Sequence, residues 1–268
     1  MKKLSHLLIT IILILIFLFS GWKLLSDLWS YLEGQTSYES LEQYITFETT
    51  APHPTETATE VPEQTLSFGV SPIEDQDDTV WPQVDFNHLR EINPDIVGWI
   101  YIEGTKINYP IVQAENNSYY LNRLFDGSRN SAGSIFMDFR CNSDFSDRHS
   151  ILYGHNMKDK SMFAALINYK KNSFFQDHPI ALLLTPSCNY KIHFFSGYVA
   201  DSWDVSWQLD FDPESYENWL TEITGKSCFT PISLPTPEDS ILTLSTCSYE
   251  FDDARFVLHG YILAQKVH

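Results

Sequence analysis

Basic residues are scarce in this chain. Its 268 residues include 17 Lys and Arg against 35 Asp and Glu, a formal net charge of -18. From Leu24 to Leu89 there is no Lys or Arg at all. Phosphate binding needs clustered cationic side chains, so the composition argues against a nucleic-acid partner. Cysteine is sparse as well. Cys141, Cys188, Cys228 and Cys247 stand far apart and form no C-x-x-C pair, which argues against a zinc ribbon or a thioredoxin-like redox motif. A chain of this length does not need disulfides to be stable. His149 and His155 match no common metal spacing, and no internal repeat is visible.

What is present describes a protein with a real core and a membrane segment. The hydrophobic fraction is 43% and the aromatic fraction 15%, enough to fill a globular interior. Leu7 to Trp22 is an almost unbroken apolar run, preceded by Lys2 and Lys3. Extended to Leu25 it reaches about 19 residues, close to the ~20 that span a bilayer as a helix. Bulky Trp22, Lys23, Leu24 and Leu25 follow where a cleavage site would need small residues, so residues 1–25 read as an uncleaved signal anchor. The charge asymmetry puts the N-terminus in the cytoplasm and the remainder outside the cell.

Residues 26–80 divide into a juxtamembrane stretch and a spacer. Ser26 to Ile45 suggests a helix continuing from the membrane with a break at Gly34, or a loosely ordered stalk. Phe47 to Val80 is rich in Thr, Pro and Glu with few large apolar side chains. Such a tract cannot offset its ordering entropy by burial and reads as an extended standoff spacer. The folded domain, residues 81–268, then begins near Trp81. A short helix is expected over Asp85 to Ile92, before Pro94. Short apolar, β-branched segments follow: Val97 to Ile102, Ile107 to Val112, Gly133 to Met137, Ile151 to Tyr153, Ala181 to Leu184, Tyr190 to Val199, Ile241 to Cys247 and Arg255 to Leu263. Strands at this density predict a mainly β barrel or sandwich. Helical stretches are expected at Ser118 to Phe125, Met162 to Phe175 and Pro213 to Gly225, the last with Asp212 placed to cap it.

Three residues stand where strands emerge into loops. Cys247 ends the apolar run SILTLSTC, His155 follows ILYG, and Arg255 opens the final strand eight residues after the cysteine. Singly, each has an unremarkable alternative: a small core hydrophobe, a polar loop residue, a rim salt bridge. Together they supply a nucleophile, an acid/base and a fixed cation, the set that acyl transfer through a thioester requires. A free thiol is mostly protonated at neutral pH, so it needs nearby positive charge or a proton acceptor.

At these residues the chain resembles the sortases, cysteine transpeptidases of Gram-positive surfaces. Thr243-Leu244-Ser245-Thr246-Cys247 matches their T-L-x-T-C signature, and Arg255 fits their downstream arginine. Tyr153-Gly154-His155-Asn156 looks like the segment carrying their histidine. The stretch GSIFMDFR (Gly133 to Arg140), the run YGHNMKD and SMF, the N-x-YYL pattern from Asn117 to Leu121 and a helix before the cysteine strand are similar to class B. The resemblance implies a closed eight-stranded β-barrel with an N-terminal helix and a helix before the cysteine strand. It implies attack of the Cys247 thiolate after Thr in a C-terminal sorting signal of a surface protein, with His155 and Arg255 assisting, and transfer to an amine of a peptidoglycan precursor. By the same resemblance Asn117, Tyr153, Ser245 and Thr246 belong to the substrate groove, and no metal or organic cofactor is needed. Trp203 and Trp207 stand in a loop where some relatives carry a groove tyrosine. The competing expectations are a cell-envelope cysteine hydrolase and a non-catalytic barrel on a stalk.

Overall fold

The computed structural model describes residues 2–47 and 80–265. The first helix, α1 (Lys2–Leu41), runs 40 residues without interruption. It passes through Gly34 with no break, correcting the expectation above. The reason is packing. Gly34 lies against Asn130 and Ala132, where a Cβ would already be tight at 3.2 Å and 3.3 Å, so glycine here permits a close helix–loop approach rather than a bend. The side chain of Asn130 donates to the carbonyl of Ser30 at 2.8 Å. The hydroxyl of buried Tyr38 donates to the carbonyl of Gly133 at 2.6 Å. Leu41 and Ile45 are likewise buried in the main core, so the packed unit extends upstream of Trp81. α1 is also the one helix among the described residues that is long and apolar enough to cross a membrane.

A two-residue strand, β1 (Ile45–Thr46), pairs antiparallel with β2 (Gln83–Val84). Most of the expected acidic spacer lies outside the described residues, but the strands on either side of it are hydrogen-bonded neighbours. The chain therefore leaves and returns at one ribbon, and α1 reaches the barrel without passing through that tract. Next comes α2 (Phe86–Ile92), capped by Asp85, whose side chain accepts from the backbone of His88 at 3.1 Å.

Eight strands close the barrel: β3 (Ile96–Tyr101), β4 (Asn108–Val112), β5 (Ile135–Met137), β6 (His149–Tyr153), β7 (Ile180–Leu184), β8 (Asn189–Ala200), β9 (Ile241–Cys247) and β10 (Arg255–Ala264). Their order around the barrel is β10-β8-β7-β3-β4-β5-β6-β9. The expected eight segments are these eight strands, with ends differing by a residue or two. β4–β5 and β6–β9 are parallel and the other pairs antiparallel. Closure removes the sheet edge, which is why strands as apolar as β9 are tolerated.

Two expected helices differ. Ser118 to Phe125 yields only a 3-10 turn at Tyr120–Asn122. Asn116 captures the backbone amides of Ser118 and Tyr119 at 3.0 Å each, an Asx-type turn that competes with helix. The carbonyls of Tyr120 and Asn122 accept instead from Ser134 and Asn130. Met162 to Phe175 splits into a 3-10 segment, Phe163–Lys170, and α3 (Asn172–Asp177). The helix before the cysteine strand, α4 (Pro213–Gly225), starts at Asp212 with a capping box to Ser215 and proline in its first turn. Its buried Tyr216, Trp219, Leu220 and Ile223 follow helical spacing and cover the outer faces of β8 and β10 at Phe195, Tyr198 and Val257. Each such side chain contributes roughly 2 kcal/mol on full burial.

Beneath α4 lies a hydrogen-bonded chain of buried polar groups. His149 Nδ1 meets the carbonyl of Gln208 at 2.7 Å, and its Nε2 lies 2.7 Å from Thr243 Oγ1. The same hydroxyl lies 2.7 Å from His259 Nδ1, while His259 Nε2 has no partner. A carbonyl only accepts, so His149 Nδ1 carries its proton. Thr243 then donates to His149 and accepts from His259, leaving His259 Nε2 a bare lone pair among aromatic rings. Burial pushes the His149 imidazole down to about 4 and holds His259 well below its ordinary range. Both groups bind protons more readily unfolded than folded. Stability is thus complete above about pH 6.5 and falls as pH drops toward 4, by about 3 kcal/mol for His149 alone. Urea unfolding of the full chain at pH 7, 5.5 and 4.5 should show this decline, and His259→Phe should flatten its slope. An equal slope in the variant would mean that other groups control acid stability.

Candidate active site

Three strand ends meet at one rim of the barrel. β6 runs parallel to β9 with Tyr153 opposite Ser245. β10 runs antiparallel to β9 with Arg255 directly opposite Cys247. Two residues beyond Tyr153 the chain reaches His155, and two beyond Ser245 it reaches Cys247, so the parallel register delivers the imidazole beside the thiol. The junction is fixed by the Gly154 amide donating to the Ser245 carbonyl at 3.1 Å and Thr246 Oγ1 donating to the Gly154 carbonyl at 2.8 Å. Asn156 Nδ2 donates to the Cys247 carbonyl at 3.0 Å, clamping the other side.

The electrostatics follow from this placement. Interaction with the His155 imidazole lowers the Cys247 thiol below its ordinary range. Partial burial opposes that effect, and the Arg255 guanidinium reinforces it. His155 is raised, first by its hydrogen bond with Cys247 and further by one to a backbone carbonyl. That carbonyl is Leu121's, 2.7 Å from Nε2. Because a carbonyl accepts only, Nε2 carries a proton and Nδ1 is the nitrogen left for the thiol. Both shifts favour proton transfer from sulfur to imidazole.

Cys247, His155 and Arg255 share a cleft of about 300 Å³ with Asn117, Leu121, Phe136, Tyr153, Ser245 and Thr246. The seven residues named from the sequence for catalysis and the substrate groove thus line one pocket, while Trp203 and Trp207 lie outside it. Its wall is organised by Asp138, which is fully buried and receives Arg140 through Nε and Nη2, each at 2.9 Å. Asn117 Nδ2 and the Tyr153 hydroxyl donate to the same carboxylate at 3.0 Å and 2.9 Å. Burial pushes the Asp138 carboxyl up, but the hydrogen bonds led by Arg140 outweigh it and hold the group ionised. Trp207 stacks near Tyr153 at 6.2 Å, and Trp203 is 93% exposed at the tip of that loop. The Ser245 hydroxyl is buried and has no hydrogen-bond partner among the described residues.

This constellation has counterparts in known proteins. Sortase B of Listeria monocytogenes is 31% identical over 261 residues, 96% of each chain. Sortase B of Staphylococcus aureus is 38% identical over 169 residues, 63% of this chain and 69% of that one. The chain belongs to the sortase B family. It is therefore a cysteine transpeptidase. Among solved structures, a Staphylococcus aureus sortase B–substrate complex superposes with a TM-score of 0.65 at 37% identity, covering 68% of this chain and 85% of that chain. Sortase B of Bacillus anthracis gives 0.70 at 30% identity, covering 89% and 100%. No family model matches the chain.

Sequence reading of this sortase missed four contributors: the Leu121 carbonyl, Asp138, Arg140 and Asn156. A backbone carbonyl leaves no trace in side-chain identity. Asp138 and Arg140 were visible only as two charges inside the mostly apolar GSIFMDFR, and the structure buries the aspartate while the arginine covers it from the surface.

Gly133 tests the carbonyl contact. Its φ is +62°, and a Cβ there would lie 2.6 Å from the Leu121 carbonyl oxygen and 3.1 Å from His155 Cδ2. Gly133→Ala should displace that carbonyl, remove one influence raising His155, and reduce kcat/KM about tenfold or more. Retained far-UV circular dichroism would separate this from unfolding. Wild-type turnover in a folded variant would show the Leu121 contact to be dispensable.

Proposed function

We propose that this sortase cleaves a C-terminal sorting signal after Thr and transfers the acyl group to an amine of a peptidoglycan precursor. The observation that carries the reading is Cys247 and His155 lining one cleft, with Arg255 opposite the cysteine in the ladder. His155 Nδ1 takes the thiol proton, and Sγ attacks the scissile carbonyl carbon. The carbonyl electron pair moves to oxygen, which Arg255 stabilises as a fixed, always-charged donor. As the tetrahedral adduct collapses, His155 returns the proton to the departing amine and a thioester remains. The acceptor amine then attacks the thioester carbon, gives a proton to His155 and expels the thiolate.

The pocket supports a peptide in extended form. Asn117 and Tyr153 are preset by Asp138, Thr246 positions the backbone before His155, and Ser245 lines the groove. The seven side chains supply the chemistry without a metal or organic cofactor. α1 fits a signal anchor, with the N-terminus in the cytoplasm and the barrel at the outer surface, where surface proteins and cell-wall precursors meet.

The test is product analysis with a Thr-containing pentapeptide library, with and without an added amine. Cleavage plus an amine adduct is expected, and hydrolysis alone under all amine concentrations would make the protein an envelope hydrolase. Cys247→Ala should abolish turnover, whereas substitution of Cys141, Cys188 or Cys228 should not. Arg255→Lys should lose about 10²- to 10³-fold, since an ammonium cannot reproduce the guanidinium fork. A Lys variant equal to wild type would reduce Arg255 to a structural residue.

The pH profile is also determined. Attack needs the thiolate and amine expulsion needs imidazolium, so rate follows the fraction holding both. The thiol is lowered and the imidazole raised from their ordinary values, which favours the form holding both thiolate and imidazolium. The limbs of the resulting bell belong to the coupled pair. Measuring kcat/KM and thiol alkylation together checks this; alkylation already maximal well below 6 would indicate a preformed ion pair instead.

A further inference from the structure

A cleft rich in positive charge lies beside the catalytic rim, outside the peptide groove. It measures about 500 Å³ and is lined by Lys106, Lys158 and Lys160, with no carboxylate side chain among its lining residues. In a chain with 17 basic and 35 acidic residues, such local reversal of charge is unexpected. None of the three lysines pairs with a carboxylate among the described residues. The acid nearest in sequence, Asp159, is turned back on Ser161, whose amide and hydroxyl donate to it at 3.0 Å and 2.6 Å. Lys106 Nζ instead donates to the Asp159 carbonyl at 3.2 Å, tying two loops into one wall.

Two further facts give this charge a direction. The cleft adjoins the thiol: Asn156, which lines it, follows His155 and donates to the Cys247 carbonyl, and Tyr249, also lining it, lies two residues past Cys247. The peptide groove and the lysine cleft thus meet at the Cys247–His155 ridge, the groove reaching His155 and Cys247 and the cleft reaching Asn156 and Tyr249. Moreover, Lys160 holds φ at +65°, where glycine or asparagine would be cheaper. A long cationic side chain kept at a disfavoured backbone position, facing a cleft and left without a counter-ion, points to an anion supplied from outside.

We propose that the cleft of Lys106, Lys158 and Lys160 binds an anionic group, carboxylate or phosphate, carried by the amine acceptor. This rests on the transfer reaction proposed above and adds where its second substrate is held. Anchoring the anion on this side of the ridge aims the amine at the thioester carbon and its proton at His155.

The test uses the full chain in detergent micelles with three acceptors: triglycine, triglycinamide, and a glycyl amine bearing a diphosphate. Wild type should show lower KM for one or both anionic acceptors than for the amide, and the anionic advantage should shrink with added salt. The triple variant Lys106→Gln/Lys158→Gln/Lys160→Gln should raise KM for the preferred anion about tenfold, two- to threefold per exposed lysine. The amide acceptor and cleavage without amine should be unaffected. Whichever anion responds identifies the source. Lys160→Gly should weaken the anionic acceptor while leaving Tm unchanged or higher, which a structural role for the lysine would not do. Amine-free cleavage reports the transpeptidase reading separately. Calorimetric binding of inorganic diphosphate to Cys247→Ala, with and without the three Gln substitutions, tests the cleft without turnover. Equal KM for charged and amidated acceptors, or a KM for the charged acceptors that the three substitutions leave unchanged, overturns the proposal.

Discussion

β9 is hydrogen-bonded on both flanks, parallel to β6 and antiparallel to β10, and the site depends on that double constraint. Side chains alternate along a strand, so a slip of one residue in either ladder would exchange inward and outward faces. It would also separate Cys247 from Arg255, which meet only because the hairpin register makes them partners. The parallel pairing does the same for His155, whose position relative to the thiol is inherited from Tyr153 and Ser245. Barrel closure therefore does more than remove a sheet edge. It leaves neither neighbour of the cysteine strand free to shift alone.

The chemistry at the rim is a balance of opposed influences on a small scale. Arg255 lowers the thiol, but the same charge also lowers His155. The histidine is raised instead by hydrogen bonds, one to the sulfur and one to a neutral carbonyl. A carboxylate in the carbonyl's place would stabilise imidazolium more strongly and also repel the thiolate and the oxyanion. A peptide oxygen orients the ring and selects its tautomer without adding net charge to a site that must accumulate negative charge in the transition state.

Legibility in the sequence tracked the length scale of the cause. Ile241 to Cys247 could be read because burial on both faces imposes a continuous apolar run, and the turn from Cys247 to Arg255 could be read because a hairpin is local. The α4 cap at Asp212 was local too. Leu121's part was not, since a backbone oxygen belongs to every residue. Nor was the break-up of Ser118 to Phe125, where the carbonyls of Asn122 and Tyr120 are drawn to partners eight and fourteen positions away. Gly34 misled for a related reason: in isolation it signals weak helix, whereas here it makes room for Asn130 and Ala132. The lysine cleft escaped notice because Lys106 is about fifty positions from Lys158 and Lys160, and nothing in the sequence sets them in one wall.

The uninterrupted first helix has a geometric corollary. At 1.5 Å per residue its 40 residues extend about 60 Å, roughly twice a hydrocarbon core. Its final turns are seated in the barrel through Tyr38 and Leu41, so it is a stiff mast rather than a leash. In the proposed anchored arrangement, such a mast would set the height of the thiol site over the lipid surface, and membrane thickness would become a determinant of which substrates are reached.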